Sequence, residues 1–140
     1  MSLKEKKLLK PLPISIEDFR EISEYYYADK TLLIKELLDN KTKLILFTRP
    51  RRFGKTLNMS MSQLFFEKPL DGKDTSHYFK NLKIWQAGEK YTKEQGRRPV
   101  IYITFKDIKS FSYEDAIGEI HKNISREYDR HGELSNSQNL

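Results

Sequence analysis

Helical and strand-like periods alternate along this 140-residue chain, and the alternation argues for an α/β fold, a parallel sheet flanked by helices. Two runs carry the strand side of that expectation: "KLILFT" at 43–48 and "PVIYITF" at 99–105, apolar, β-branched or aromatic along their length. Stripes of apolar residues at helical spacing carry the other side. A doubly wound sheet needs about five strands, so with two strong runs the sheet reads as incomplete.

Taken in order, residues 1–11 are charged and read as a flexible N-terminal segment, with no apolar stretch of signal-peptide length behind them. Ser15 and Asp18 have the spacing of a helix start, after which Ile16, Phe19, Ile22 and Tyr26 fall on one side. Asp29 is placed to cap a second helix, "KTLLIKELLDN", carrying Leu33 and Leu37 and ended by Asn40. The period then switches to the first strand run, followed by the loop "RPRRFGK". From Thr56 onward Leu57, Met61, Leu64 and Phe65 recur at helical spacing, and Phe65 and Phe66 are expected to pack on the sheet.

Beyond Pro69, Gly72, Gly88 and Gly96 punctuate short helices and turns anchored by aromatic residues. Asp71-Gly72-Lys73 superficially shares the acidic-x-lysine pattern of a nuclease core, but its glycine and the nearby Pro69 favour a turn. After the second strand run, Asp107 reads as a strand-end turn residue, with magnesium ligation the lesser alternative. Ser112 and Asp115 then form a cap signature ahead of Tyr113, Ile117, Ile120, Ile124 and Tyr128, one helical stripe. Residues 131–140 form a polar tail expected to fray.

Composition narrows the chemistry. Hydrophobic residues at 37% and charged residues at 33% fit a chain that folds. There is no cysteine, which excludes a disulfide, a thiolate metal site and a cysteine nucleophile. His77, His121 and His131 are scattered without zinc-ligand spacing or a paired nucleophile. No segment approaches a membrane span, so the cytoplasm is the expected location and no membrane partner is expected. The excess of 26 Lys and Arg over 20 Asp and Glu gives a formal charge of +6 and favours anionic partners: nucleotide, nucleic acid or acidic protein.

The loop at 49–56 is the strongest chemical signal. A phosphate loop curls successive backbone N–H groups around an anion at a helix N-terminus, whose dipole already favours negative charge. Its usual spacing is Gly, four residues, then Gly-Lys-Ser or Gly-Lys-Thr, with Lys on the β and γ phosphates and the hydroxyl on magnesium. Gly54, Lys55 and Thr56 fill the second half, while Arg49 stands where the first glycine is usual. Pro50 also fixes φ and contributes no N–H, leaving the amides of Arg51, Arg52, Phe53, Gly54, Lys55 and Thr56 as donors. The rival reading is an ordinary basic strand-to-helix turn. Placement after a strand run and ahead of an amphipathic helix is the setting that the phosphate loop requires.

"YYYADKTLLIKELL", "LILFTRPRRFGKTLNMSMSQLFFE" and "PVIYITFKDI" together resemble the AAA-ATPase-like family of bacterial and archaeal P-loop proteins, over about residues 12–130. In that family the phosphate loop is usually written Arg-Pro-Arg-Arg-Phe-Gly-Lys-Ser/Thr, so Arg49 belongs to a variant Walker A loop. The resemblance implies an incomplete P-loop NTPase-like parallel sheet at 12–130 that binds ATP and magnesium, with Lys55 on the terminal phosphates and Thr56 on the metal. Many members also carry a restriction-nuclease-like region at the carboxyl end. Family members are generally far longer, and their acidic Asp-Glu strand, the Walker B motif, has no counterpart in this sequence. The chain therefore reads as a truncated front portion of an ATPase, binding a nucleoside triphosphate with little or no turnover of its own. A protein partner, or the C-terminal domain that relatives carry, would complete it.

Arg51 and Arg52 would either add bidentate contacts beside the phosphates or lie as solvated flanks. Asp29 and Lys30 are read as helix-start residues in preference to a role near the adenine. The reading from another class is a nucleic-acid-binding module without nucleotide chemistry, which the net charge, Arg-Pro-Arg-Arg and many tyrosines would serve. Against it, basic residues are spread along the chain among acids, and no standard nucleic-acid-binding signature is present. A decayed remnant that binds neither ligand is the third reading.

Overall fold

The computed structural model describes residues 10, 18–40, 42–50, 53–106, 108–109 and 112–132. Among the described residues five α-helices follow one another: α1 (Leu32–Asp39), α2 (Lys55–Phe66), α3 (Lys83–Gln86), α4 (Glu89–Thr92) and α5 (Tyr113–Arg130). Two short 3-10 helices, Phe19–Glu24 and Ser76–Tyr78, sit before α1 and before α3.

The core is built around α2 because its apolar residues obey the helical period. Leu57, Met61, Leu64 and Phe65 are all buried, so one face of the helix is lost to solvent. Phe79 receives that face: it meets Phe65 edge-on at 5.2 Å and stacks on Phe19 at 5.4 Å. Each fully buried side chain of this kind contributes about 1.5–3 kcal/mol of transfer free energy. Tyr27 lies edge-on to Phe19 and donates its hydroxyl to Met61 Sδ at 3.5 Å; burial pushes its phenol up to about 12.

Side-chain caps begin two helices: the one at Ser112 is where the sequence suggests it, whereas the first described helix starts at Asp18 and not at the expected Ser15. Asp18 Oδ1 accepts from Arg20 N at 2.9 Å at the first 3-10 helix, and Ser112 Oγ accepts from Asp115 N at 3.1 Å at α5. Ser15 and Ile16, expected in the first of these helices, lie outside the described residues. Asn40 ends α1, its N–H donating to Glu36 O. The turn at 69–73 forms as expected, with Gly72 at φ 71° and Asp71 Oδ1 accepting from Lys73 N at 3.1 Å. Gly96, at φ 67°, donates its amide to Phe65 O at 2.8 Å, which the left-handed backbone permits.

The expected parallel sheet is overturned. Among the described residues there is no strand, and pairing is limited to one isolated parallel bridge, Glu67 with Arg98. Residues 43–48 and 99–105 carry strand-like sequence but join no ladder. Their side chains stand in solvent: Leu44 is 87% exposed, Leu46 81%, Ile101 64% and Phe105 64%. Local propensity favours an extended backbone, yet a strand exists only through its neighbours, and a parallel one needs both edges paired and both faces covered. Phe65 accordingly packs on Phe79 and Phe66, not on a sheet. Residues Tyr113, Ile124 and Tyr128 of the α5 stripe are likewise exposed, and α5 buries no residue fully.

What holds α5 in place is a charged cluster at its carboxyl end. Arg130 Nη1 donates to Glu67 Oε1 at 2.6 Å, and Nη2 donates to Glu127 Oε2 at 2.7 Å and to Val100 O at 3.0 Å. Burial alone would lower the Arg130 guanidinium; the two carboxylates outweigh it and raise it. His131, which the sequence assigns to the polar tail, is 5% exposed and donates Nε2–H to Val100 O at 2.7 Å. Tail residues 133–140 and residues 1–9 of the N-terminal segment lie outside the described residues.

Candidate functional site

Gly54 is the residue on which the loop turns into helix α2. It occupies the left-handed region at φ 73°, ψ 25°, where a side chain would cost about 1–2 kcal/mol, and its carbonyl accepts the helical bond from Asn58 N at 2.9 Å. Glycine at this position provides no side chain to cap the helix. The first helical turn also carries no acidic residue. The first amides of a helix have no partner within it, so this end presents donors and the positive pole of the helix dipole together.

Lys55, the first helical residue, folds back over the loop and donates Nζ to Arg49 O at 2.5 Å. The bond joins the start of the loop to the start of the helix. One of the three ammonium N–H groups is used in it, leaving two. Lys55 itself, Phe53 and the Arg49 side chain are exposed. Thr56 lines an open cleft of about 670 Å³ shared with Asp18, Ser60 and Gln63 on one side and Tyr102–Lys106 on the other. The sequence-predicted residues Arg49, Gly54, Lys55 and Thr56 thus gather at one helix mouth. Arg51, Arg52 and Asp107 lie outside the described residues.

A neighbour that the sequence had placed only at a helix start also arrives here. Lys30 Nζ lies 3.8 Å from the position that a Cβ would take at Gly54. The residues on either side of Lys30 are fastened to the core. Asp29 Oδ1 accepts from Thr31 N at 2.8 Å and Thr31 Oγ1 at 2.6 Å, while Oδ2 accepts from Lys83 N at 2.7 Å. Thr31 is fully buried and accepts from Ile84 N at 3.1 Å. Burial would raise the Asp29 carboxyl; the bonds from Thr31 and Lys83 outweigh it and hold it below its ordinary value. Asp29 is not the cap that the sequence suggests for α1: Thr31 is the N-cap residue and makes no side-chain cap bond, and the Asp29 carboxylate instead joins Thr31 to Lys83.

Among the described residues no group of three or more His, Asp or Glu side chains is arranged to hold a metal ion by itself, and no helix is long and apolar enough to cross a membrane.

Comparison with known proteins places the chain in a family. The model of the AAA-ATPase-like family, described as predicted AAA-ATPases, matches residues 13–139. A protein of Azotobacter chroococcum mcd 1, described as an uncharacterized protein in the vnfD 5' region, is 45% identical over 101 residues. That match covers 69% of this chain and 17% of the Azotobacter protein, so the matched region spans only a small part of that relative's length. No solved structure matches. With nearly its whole length matched by the family model, the chain belongs to the AAA-ATPase-like family.

Proposed function

We propose that this chain binds a nucleoside triphosphate, ATP with magnesium, at the mouth of α2. The observation that carries the reading is the helix start itself: a left-handed Gly54, no cap, no acid in the first turn, and Lys55 bent across the loop. That arrangement suits a polyanion, because the free amides and the helix dipole act on the same point. Membership in a family of predicted AAA-ATPases supports it.

In this reading the amides of Phe53, Gly54, Lys55 and Thr56 hold phosphate oxygens, Lys55 the terminal phosphates, and the Thr56 hydroxyl the magnesium ion. Arg49, Arg51 and Arg52 supply positive charge around the loop. Bound magnesium-ATP would bring the transferable phosphoryl group and the metal charge that accompanies it. Lys55 has two N–H groups beyond the one given to Arg49 O, so it can reach an anion without opening the loop. Hydrolysis additionally needs a carboxylate that orders metal and water, and the proposal for these residues is binding without appreciable turnover.

Titration with magnesium-ATP tests the reading. Binding stabilises the folded chain by mass action, about 2.7 kcal/mol at a ligand concentration of a hundred times Kd, and the melting temperature rises accordingly. Lys55→Ala should abolish that rise. Absence of any magnesium-ATP effect on the wild-type chain, together with a salt-steep affinity for DNA, would replace nucleotide binding by nucleic-acid binding.

A further inference from the structure

Lys30 is unexplained by the stability of the fold. Its backbone N–H donates to Tyr27 Oη at 3.1 Å, and the flanking side chains of Asp29 and Thr31 are locked against α3, so any residue able to adopt that backbone would serve the packing. Its ammonium is exposed and makes no ion pair or side-chain hydrogen bond among the described residues. Yet it stands beside Gly54, at the positive pole of α2 and on the same helix mouth as Lys55. Two cations at an uncapped helix N-terminus with no first-turn acid repel the dipole and each other, an unfavourable arrangement. A bound polyanion adds an attraction to each cation and to the dipole, and those attractions offset the repulsion.

We propose that Lys30 is a second ammonium ligand for the polyphosphate, and that Asp29 and Thr31 are positioning residues that fix the base from which it reaches Gly54. The assignment rests on the triphosphate reading of this loop. It adds to that reading a contact from outside the loop, 24 residues upstream of Gly54 (54 − 30). The physical logic is that of a clamp. Lys55 approaches from the helix and Lys30 from a separate segment nailed to α3, so a polyphosphate is gripped between elements that the chain connects only indirectly. A side chain carried on a rigid base loses less entropy on binding than one on a free loop. Selectivity follows from charge and span: a polyphosphate carries more negative charge along a longer chain than a nucleoside monophosphate, so it can engage both ammonium groups from separate phosphoryl groups.

The experiment uses the wild-type chain, Lys30→Gln, Lys30→Arg and Lys55→Ala, each titrated calorimetrically with magnesium-ATP, inorganic tripolyphosphate and AMP. Lys30→Gln should weaken ATP and tripolyphosphate by about tenfold, as loss of one charge-assisted contact does, and leave the ligand-free melting temperature no lower than that of the wild type. Lys30→Arg should recover most of the affinity. In the wild type, magnesium-ATP should also protect Lys30 from acylation by an amine-reactive reagent, a readout that a structural role would not give. Wild-type ATP affinity in Lys30→Gln, with binding lost in Lys55→Ala, would overturn the role of Lys30 and leave the loop reading intact. No binding of ATP or tripolyphosphate by the wild type would remove both.

Discussion

Helices α2 and α5 begin in opposite ways. At α5, Ser112 Oγ accepts from Asp115 N and donates to Asp115 Oδ2 at 2.8 Å, and Glu114 and Asp115 bring negative charge to the first turn. That start is closed by its own side chains and compensated by its own charge. At α2 neither device is present; Gly54 leaves the end bare, and Lys55 and Lys30 add charge of the same sign as the dipole. The burial pattern is inverted. Helix α2 buries four residues on its apolar face, whereas α5 buries none fully. A helix whose stability comes from packing along its length can leave its first turn uncompensated, while one with little packing relies on local capping. The bare end is thus a consequence of where the core lies, and it frees that end for a ligand.

The comparison can be broken at its heaviest point first. Phe65→Ala removes a fully buried ring that contacts Phe79 and Phe66, and should destabilise the chain by about 3–5 kcal/mol in chemical denaturation. A loss under about 1 kcal/mol would show that α2 is not held by packing.

Asp29→Asn sharpens the comparison at the junction that carries Lys30 to α2. It replaces an acceptor of the Thr31 and Lys83 bonds by a donor and should cost roughly 1–3 kcal/mol. The pH dependence has a definite sign. Because the folded state holds this carboxyl below its ordinary value, its contribution is fully present above the unfolded pKa near 3.8 and is lost as pH falls through the lower folded value. Denaturation curves collected from pH 6 down to about pH 3 should therefore show an acid-dependent loss in the wild type that is smaller in Asp29→Asn. Identical slopes for the two chains would remove Asp29 from that role.

The smallest effect is expected at the other helix. Ser112→Ala removes the α5 cap and should cost about 1 kcal/mol, seen as fraying of the first turn by amide hydrogen exchange. Magnesium-ATP affinity should be unaltered. A change in affinity comparable to that of Lys55→Ala would mean that the two helix starts are energetically coupled.

These differences bear on what a sequence reveals. The stripe Leu57, Met61, Leu64, Phe65 and the Ser112–Asp115 cap were legible because each is written within a few residues, at the period of the structure that forms. The runs at 43–48 and 99–105 were legible only as extended backbone; whether they pair depends on partners elsewhere in the fold, which local propensity does not encode. Arg130 and Glu67 were beyond reach for the same reason, being 63 positions apart, and His131 looked like part of a polar tail until Val100 O came beside it. The helix mouth lay between these cases. Gly54, Lys55 and Thr56 are contiguous and carry a recognisable pattern, whereas Lys30 reaches them only because Asp29 and Thr31 tie its segment to α3.

The bond from Lys55 Nζ to Arg49 O turns the entrance of the loop into a closed ring of covalent and hydrogen-bonded links. Closing such a ring restricts how far Arg49 and Lys55 can separate. In the triphosphate proposal, one end of the site is thereby tied down ahead of the ligand.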